Sequence, residues 1–454
     1  MNVRYRRGKS NSTPHKHGIE KIHVHLLILF LAGCTAQSPY DRAYISAGLK
    51  ERTDYQLGPA PETGQFSLPE GISLEDGLSE DEAVTVALWN NAQLQTDLAA
   101  LGFARADLIE ANMLPNPVFS LLFPVGPKLL EADLQWPMDI LWQRPHRIAA
   151  AKLDTQGIAE NLIANGLGLI RDVQTTFSEL VSARQQVRFA EEDVQLQAQM
   201  AEIARGNLRA GDISELEAQE TFLDSLRAAD TLKSLSTEAE IWEQKLRSLL
   251  GITSENMAFD IVTPDFKSES VMPLDELLKT ALAARPDLRA AELAIEAAGK
   301  RMGWERSKVY NFIAIIDAKD EGRDSLEVGP AFTAEIPIFN QNQGGIARAK
   351  AEMEQAARQY EAIRQSIALQ VQQAHSRYAS SRETFDLWSG DIVPALQAKV
   401  EQTENSYETG NVLYIAVLQA KRELVAAHLH ERELAGNLGR SAAELNYSIG
   451  KKVI

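Results

Sequence analysis

Ala132-Asp133-Leu134-Gln135-Trp136-Pro137 and Phe332-Thr333-Ala334-Glu335-Ile336-Pro337 stand 200 residues apart, and their reading decides the fold. In the first, Ala132, Leu134 and Trp136 share one face and Asp133 and Gln135 the other. In the second, Phe332, Ala334 and Ile336 lie opposite Thr333 and Glu335. A period of two marks a strand with one apolar and one polar face. A less regular β-rich run precedes each, so the expected strand pairs are Pro117 to Phe123 with Ala132 to Pro137, and Asn311 to Ala318 with Ala331 to Pro337. The turn-rich Pro124-Val125-Gly126-Pro127 joins the first pair, and a polar loop containing Lys319-Asp320-Glu321-Gly322 joins the second.

Working outward, the two strand pairs belong to two copies of one unit. Glu82, Ala87, Leu88 and Leu94 match Glu276, Ala281, Leu282 and Leu288 at an offset of 194, and Gly211 and Gly251 match Gly410 and Gly450 at 199. Such self-similarity is the first thing to establish before a fold is named. Each copy opens with a helical stretch, Asp81 to Asn112 and Leu274 to Ser307, interrupted at Asn90-Asn91 and at Pro286. After the strands come stretches nearly free of Gly and Pro, about Arg147 to Leu208 and Ile346 to Tyr407. A helix of some 62 residues reaches on the order of 90 Å, longer than an ordinary domain is wide. Turns follow at Ala210-Gly211-Asp212 and Thr409-Gly410-Asn411, with Gly where helices terminate. Return helices are expected from Ser214 to Leu250 and Leu413 to Ile449. The expected division is a signal peptide over 1–33, an extended N-terminus over 34–79, a first repeat over 80–251, a linker over 252–273, a second repeat over 274–450 and a tail over 451–454.

The 454 residues include 46 Lys+Arg against 63 Asp+Glu, a net charge of −17 that argues against nucleic acid as a partner. Hydrophobic residues make up 44%, enough for a large core and too many for wholesale disorder. The longest apolar run, Val24 to Gly33, is interrupted by His25 and too short for a spanning helix. It sits between Arg4, Arg6, Arg7, Lys9, Lys16 and Lys21 and the chain's single cysteine, Cys34, the order of a secretion signal. Leu31-Ala32-Gly33-Cys34 resembles a bacterial lipobox, which implies that Cys34 is lipidated and becomes the first mature residue. Loss of residues 1–33 removes six basic residues and Glu20 and takes the net charge to −22. The basic leader is long for such a signal, which leaves open a start codon downstream of Met1. Thr35 follows the cysteine in place of the Asp that retains such lipoproteins at the inner membrane, so outer-membrane sorting is expected.

Four short strands cannot close a membrane barrel, because open edges are not tolerated in lipid and the smallest barrels have eight strands. The chain is therefore expected to pool strands with copies of itself, its long helices extending the barrel into a tube. Trp136 and Trp142, at and just beyond a strand end, are either interfacial anchors or core residues.

The order of these features resembles the TolC family of outer-membrane efflux factors over about Leu78 to Gly450. The residues that carry the resemblance are Asn116-Pro117, Arg285-Pro286-Asp287-Leu288, Ile336-Pro337-Ile338-Phe339 and the Gly211 and Gly410 turns. The lipobox and Leu114-Pro115-Asn116-Pro117 place it nearest the lipoprotein branch that serves heavy-metal and other cation exporters. The resemblance implies a mainly α fold with a small β part: a duplicated unit whose homotrimer forms a long periplasmic α-helical barrel and a transmembrane β-barrel of four strands per chain. It also implies partners, namely outer-membrane lipid, a periplasmic adaptor and an inner-membrane pump, and passive conduction between them without a cofactor.

The candidate adaptor-docking turns are Ala210, Gly211, Asp212 and Thr409, Gly410, Asn411. For the periplasmic gate, Glu217 and Tyr407 match family positions, while Ala416 and Gln419 stand where the family carries its paired acids. Glu404, Glu408 and Glu215 are candidate substitutes, each with the plainer alternative of a solvated surface charge. His146, His375, His428 and His430 show no ligand spacing, so no metal site is assigned. No Ser, Cys or carboxylate pair has a catalytic context, and an enzyme is not expected. The competing reading is a periplasmic coiled-coil lipoprotein without channel activity, which leaves the matched strand pairs unexplained.

Overall fold

The computed structural model describes residues 38–60, 65–123, 130–252, 258–264, 269–320, 322 and 326–454. Cys34 and the signal-like segment lie outside the described residues, as do Pro124 to Pro127 and Glu321.

The segment expected to be extended before the first repeat contains a helix, α1 (Arg42–Thr53). Asp41 caps it by accepting the Tyr44 N–H at 3.0 Å, and Ile45 and Leu49, one turn apart, are its buried contacts. Ile45 and Leu49 are the large aliphatic residues of this helix, too few to set a period that reads as one. The opening stretch of the first repeat divides into α2 (Glu80–Asn90), α3 (Ala92–Leu98) and α4 (Ala100–Asn112), with a further break at Ala99 that no Gly or Pro marks. Its counterpart is α7 (Leu274–Ala284) and α8 (Pro286–Ser307), separated at Arg285 as expected.

The long helix of the first repeat, α5 (Ile140–Ala210), begins earlier than expected and runs through Pro145. At 71 residues it spans roughly 100 Å. The second runs without a gap but carries one irregularity. It comprises α9 (Gln343–Leu387), a single π turn (Trp388–Ile392) and α10 (Val393–Glu408). The wider turn lies just before Pro394, whose ring has no N–H to offer the preceding turn. The return helices α6 (Glu215–Leu250) and α11 (Tyr414–Ile449) lie within a residue of their expected bounds. Strands β1 (Val118–Leu122), β2 (Leu130–Pro137), β3 (Phe312–Asp320) and β4 (Leu326–Ala334) form one antiparallel sheet in chain order. Here β4 departs from the expected Ala331 to Pro337. Its register pairs Ala334 with Phe312, the first residue of β3, so Ile336 and Pro337 lie past the end of the ladder.

Two matching apolar cores hold the helices. In the first repeat Val84, Leu88 and Leu94 pack with Ile163, Ile170 and Phe177 of α5 and with Leu246 and Leu250 of α6. In the second, Leu277, Ala281 and Leu288 pack with Ile367, Val371 and Tyr378 of α9 and with Leu438, Leu445 and Ile449 of α11. The duplication also extends to polar detail. Asn91, at the break of the first repeat, donates from Nδ2 to the Leu249 carbonyl at 3.0 Å, satisfying the last turn of α6. Arg285, at the corresponding break, donates from Nη1 to the Tyr447 and Ser448 carbonyls at 3.1 and 3.4 Å, at the end of α11. Arg285 is buried, and Asp287 holds its guanidinium through two bonds of 2.9 and 2.6 Å. Each return helix then ends on a left-handed glycine, Gly251 at φ +74° and Gly450 at φ +75°. A Cβ on Gly251 would meet the Asn90 carbonyl oxygen at 2.5 Å, and one on Gly450 would meet Arg285 at 3.2 Å. The linker adds a tie, a parallel bridge of Leu78 with Ile261 in which Leu78 N–H donates to Asp260 O at 2.8 Å.

Breaking the buried Arg285 pair is expected to be among the costlier polar changes. Arg285→Ala should lower unfolding stability by about 3 kcal/mol, because Asp287 and two helix-end carbonyls lose their partner. Gly251→Ala should cost about 2 kcal/mol through backbone strain and the close Asn90 contact. Denaturant unfolding in detergent, followed by far-ultraviolet circular dichroism, measures both.

Glu80 supplies a pH dependence. Burial pushes its carboxyl up to about 7, outweighing the hydrogen bond from Gln174 Nε2 at 2.9 Å. The unfolded chain therefore releases this proton at lower pH than the folded one. The stability linked to Glu80 is full below the ordinary carboxylate range and is lost as pH rises through about 7. Glu80→Gln should gain stability relative to the parent as the buffer moves from about pH 5 to about pH 8. A constant difference across that range would contradict the assignment.

Candidate pore-forming sheet and helical tips

The register of the four strands sorts their side chains. Ser120, Asp133, Asp317 and Gly329 align across the sheet; on the same face Leu122, Glu131, Lys319 and Glu327 align one step along, and Val118, Gln135, Ile315 and Ala331 one step the other way. The opposite face carries Phe119, Leu121, Leu134, Ile316, Val328 and Phe332. Burial is inverted relative to a sheet folded in water. Phe119, Ile316 and Phe332 are 64%, 54% and 78% exposed, whereas Glu131, Asp133 and Asp317 are only partly exposed, crowded against one another. An apolar outer band over a polar inner face is the pattern of a membrane barrel wall. The nine-residue β3 and β4 are close to the length of about 9–11 residues that a tilted strand needs to span the hydrocarbon. β1 and β4 are the edge strands. Among the described residues, no helix is long and apolar enough to cross a membrane.

Three carboxylates, those of Glu131, Asp133 and Asp317, bring an oxygen each within 4.8 Å of one another. Lys319 places its Nζ 2.5 Å from Asp317 and 3.7 Å from Glu131, so one ammonium sits among three acids. The alternation of Ala132 to Pro137 singles out Asp133 but not this group. Carrying the same alternation back to Glu131 and along Ile313, Ile315, Asp317 and Lys319 brings out its members, whereas their meeting depends on the pairing of β2 with β3. At the helical end of the sheet, Trp142 donates from Nε1 to the Ser307 carbonyl at 3.2 Å and packs edge-on against Phe312.

At the other end of the helices, α5 turns into α6 at Gly211 (φ +83°) and α10 turns into α11 at Gly410 (φ +75°). The turns are closed by Asp212 N–H to Asn207 O at 2.9 Å and by Asn411 N–H to Ser406 O at 2.8 Å. Leu196 and Met200 of α5 pack with Leu418 and Val425 of α11, which brings the two hairpins together near their tips. Ala210, Gly211, Asp212, Thr409, Gly410 and Asn411 are all exposed.

The gate candidates differ in environment. Glu217 is committed to a capping box: its carboxylate accepts the Ser214 N–H at 2.7 Å and the Ser214 hydroxyl at 2.9 Å. These bonds hold its carboxyl below the usual range. Glu404 of α10 pairs with Lys421 of α11 at 2.8 Å. Tyr407 packs on Tyr414 with ring centroids 5.3 Å apart, and Glu408 is exposed at the end of α10. Glu215 is an exposed first-turn acid of α6. The histidine pair of α11 diverges, His428 stacking on Phe189 of α5 and His430 packing against Trp388 in the π turn.

Residues 277–451 match the family described as Outer membrane efflux protein. The cobalt-zinc-cadmium resistance protein CzcC of Cupriavidus metallidurans is 24% identical over 382 residues, covering 82% of this chain and 90% of the relative. The probable outer membrane lipoprotein SilC of Salmonella typhimurium is 24% identical over 452 residues, covering 88% and 91%. A crystal structure of CusC superposes with a TM-score of 0.66 at 20% identity, over 88% of this chain and 99% of that one. The chain thus shares its duplicated strand-and-hairpin fold with CusC along nearly its whole described length, and its second repeat matches the outer membrane efflux protein family.

Proposed function

We propose that this chain is the outer-membrane channel subunit of a tripartite efflux system, a passive duct that conducts substrate from the periplasm to the exterior. The observation that carries the reading is the inverted sheet: an exposed apolar face, a polar face rich in carboxylates and two open edges, attached to helices roughly 100 Å long. Copies of the chain remove the edges by joining β4 of one to β1 of the next. Two copies would give eight strands, an interior that side chains fill. Three are the smallest ring with an open lumen, so the functional unit is a homotrimer. Cys34 carries the lipid that tethers it to the outer membrane. The exposed turns at Gly211 and Gly410 dock the periplasmic adaptor, which links the tube to an inner-membrane pump. The chain performs no catalysis, and the energy comes from the pump.

The name of CzcC, a cobalt-zinc-cadmium resistance protein, with the acids on one face of the sheet, favours metal cations as cargo. A periplasmic rod without channel activity gives no role to an outward apolar sheet face. The gate lies at the tips, where Tyr407, Glu408 and the Glu404–Lys421 pair cluster near the second turn and Glu217 steadies the first through its cap.

Detergent-extracted protein should have a trimeric mass and form cation-preferring pores in a planar bilayer. A monomer that never conducts would refute the channel. Asp133→Asn with Asp317→Asn should shift the reversal potential toward zero under a salt gradient without abolishing conductance, since two of three acids beside Lys319 lose their charge. Glu404→Gln releases α10 from Lys421 and should raise the open probability. An unchanged value would remove that pair from the gate.

A further inference from the structure

Past the end of β4, Ile336, Ile338 and Phe339 are 80%, 68% and 92% exposed. They do not sit on a slack loop. Ile338 N–H donates to Ile336 O at 2.8 Å, Gln343 Nε2 donates to Phe339 O at 3.1 Å, and Gln341 N–H donates to Gln343 Oε1 at 3.0 Å. Asn342 is held in the left-handed region at φ +55° and donates from Nδ2 to the Glu305 carbonyl and to its carboxylate, both at 2.8 Å. A non-glycine residue in that conformation persists where its surroundings over-determine it. The segment is therefore an apolar knob held in shape in advance, the form in which an exposed aromatic anchors an interface at the lowest entropic cost.

A groove lies at the same end of the sheet, between the exit of α4 and the first turns of α5. It is open to solvent and lined by Leu114, Ile140, Leu141, Pro145 and Ile148, with Arg144 and Lys152 beside them. Leu141 is 63% exposed and Leu114 44%. The knob and groove of one copy lie at opposite edges of its sheet, because Leu114 leads into β1 and Phe339 follows β4. Sheet topology brings together the knob of one copy and the groove of the next. β1 and β4 run in opposite directions, so pairing β4 with a neighbour's β1 is antiparallel. That places the end of β4, followed by Glu335 to Phe339, beside the start of the neighbour's β1, preceded by Leu114 to Pro117. Asn342 bonds Glu305 and Trp142 bonds Ser307, so within one chain the knob and the first turns of α5 both lie level with the end of α8. Glu335 and Lys152 add opposite charges to the two surfaces.

We propose that Ile338 and Phe339 of each copy seat in the Leu114–Ile148 groove of the adjacent copy, forming an apolar lock beneath the barrel seam. The lock rests on the homotrimer proposed above. Its role is to register one protomer against the next where the strand ladder ends, so that the sheet edges meet in a single alignment.

The test co-expresses two differently tagged chains, one Phe339→Cys and one Leu141→Cys, and treats the purified assembly with a short bismaleimide. The native Cys34 is retained in both, and the parent serves as the uncross-linked control. A covalent dimer carrying both tags, absent from either variant alone, is expected. Phe339→Ala should dissociate at clearly lower temperature than the parent trimer with unchanged helix content, and Phe339→Leu should recover most of the loss. Co-expressed cysteine variants that assemble as trimers yet give no mixed dimer, together with a Phe339→Ala trimer of parental durability, would overturn the lock while leaving the channel reading intact. So would a Phe339→Cys thiol that reacts with a bulky maleimide as fast in the trimer as in dissociated chains, which would assign the knob to lipid or solvent. A parent that never forms trimers would overturn the homotrimer reading itself, and the lock with it.

Discussion

A backbone N–H or C=O without a partner is costly in hydrocarbon, and a sheet of four strands leaves a row of them along each edge. This constraint organises the rest of the molecule. The sheet sets Phe119, Leu134, Ile316 and Phe332 on one face and its carboxylates on the other, among Val118, Leu122, Ile313 and Ile315, an arrangement with no core of its own to stabilise it. Its stability must come from lipid against the apolar face and from another copy against each edge. Self-association is thus a condition for the sheet to exist in a membrane and not an addition to a finished fold.

The helical part obeys water instead. Each repeat has its own apolar core between short opening helices and a long hairpin, and each closes the end of its return helix in the same way. A side chain from the break in the opening helix satisfies the last carbonyls, and a left-handed glycine packs against that break. Asn91 and Arg285 are chemically unlike, yet they perform one task at corresponding positions. Arg285 does so with a longer reach and requires Asp287 to balance its buried charge. The residues that make Arg285-Pro286-Asp287-Leu288 recognisable are therefore a helix clamp in the middle of the tube, remote from both its mouth and its tips. The two long helices differ where Pro394 interrupts one of them, and the π turn that precedes it brings Trp388 against His430. The second hairpin is the less regular of the two.

Much of this architecture is legible in the residues because it rests on local periodicity. Alternation at Ala132–Pro137 marks a strand, glycines at 211 and 410 mark turns, and the shared offset marks the duplication. Expectation and structure part where local signal and tertiary pairing diverge. Ile336 and Pro337 continue the alternation of β4, but β3 offers no partner beyond Phe312. Helix α1 carries too few large aliphatic residues to announce itself and is secured by docking on α5, where Tyr44 donates to Glu160 at 2.7 Å. Among the gate candidates, a carboxylate one turn past a glycine looks the same in sequence whether it faces a lumen or caps its own helix. Glu217 caps.

The sequence by itself determined the inventory: two copies of a unit with two strands, a pair of very long helices and an acidic chain. Each of these follows from the spacing and composition of neighbouring residues, which the backbone reads locally. The tertiary structure alone decided which groups meet. Asp133 and Asp317 come together because β2 pairs with β3 in one register, and a slip of one residue between the two strands would leave them on opposite faces. The same holds for Arg285 and the end of α11, and for the rigid turn that presents Phe339. Contacts between residues far apart in the chain depend on the geometry of packing, and no local pattern encodes that geometry.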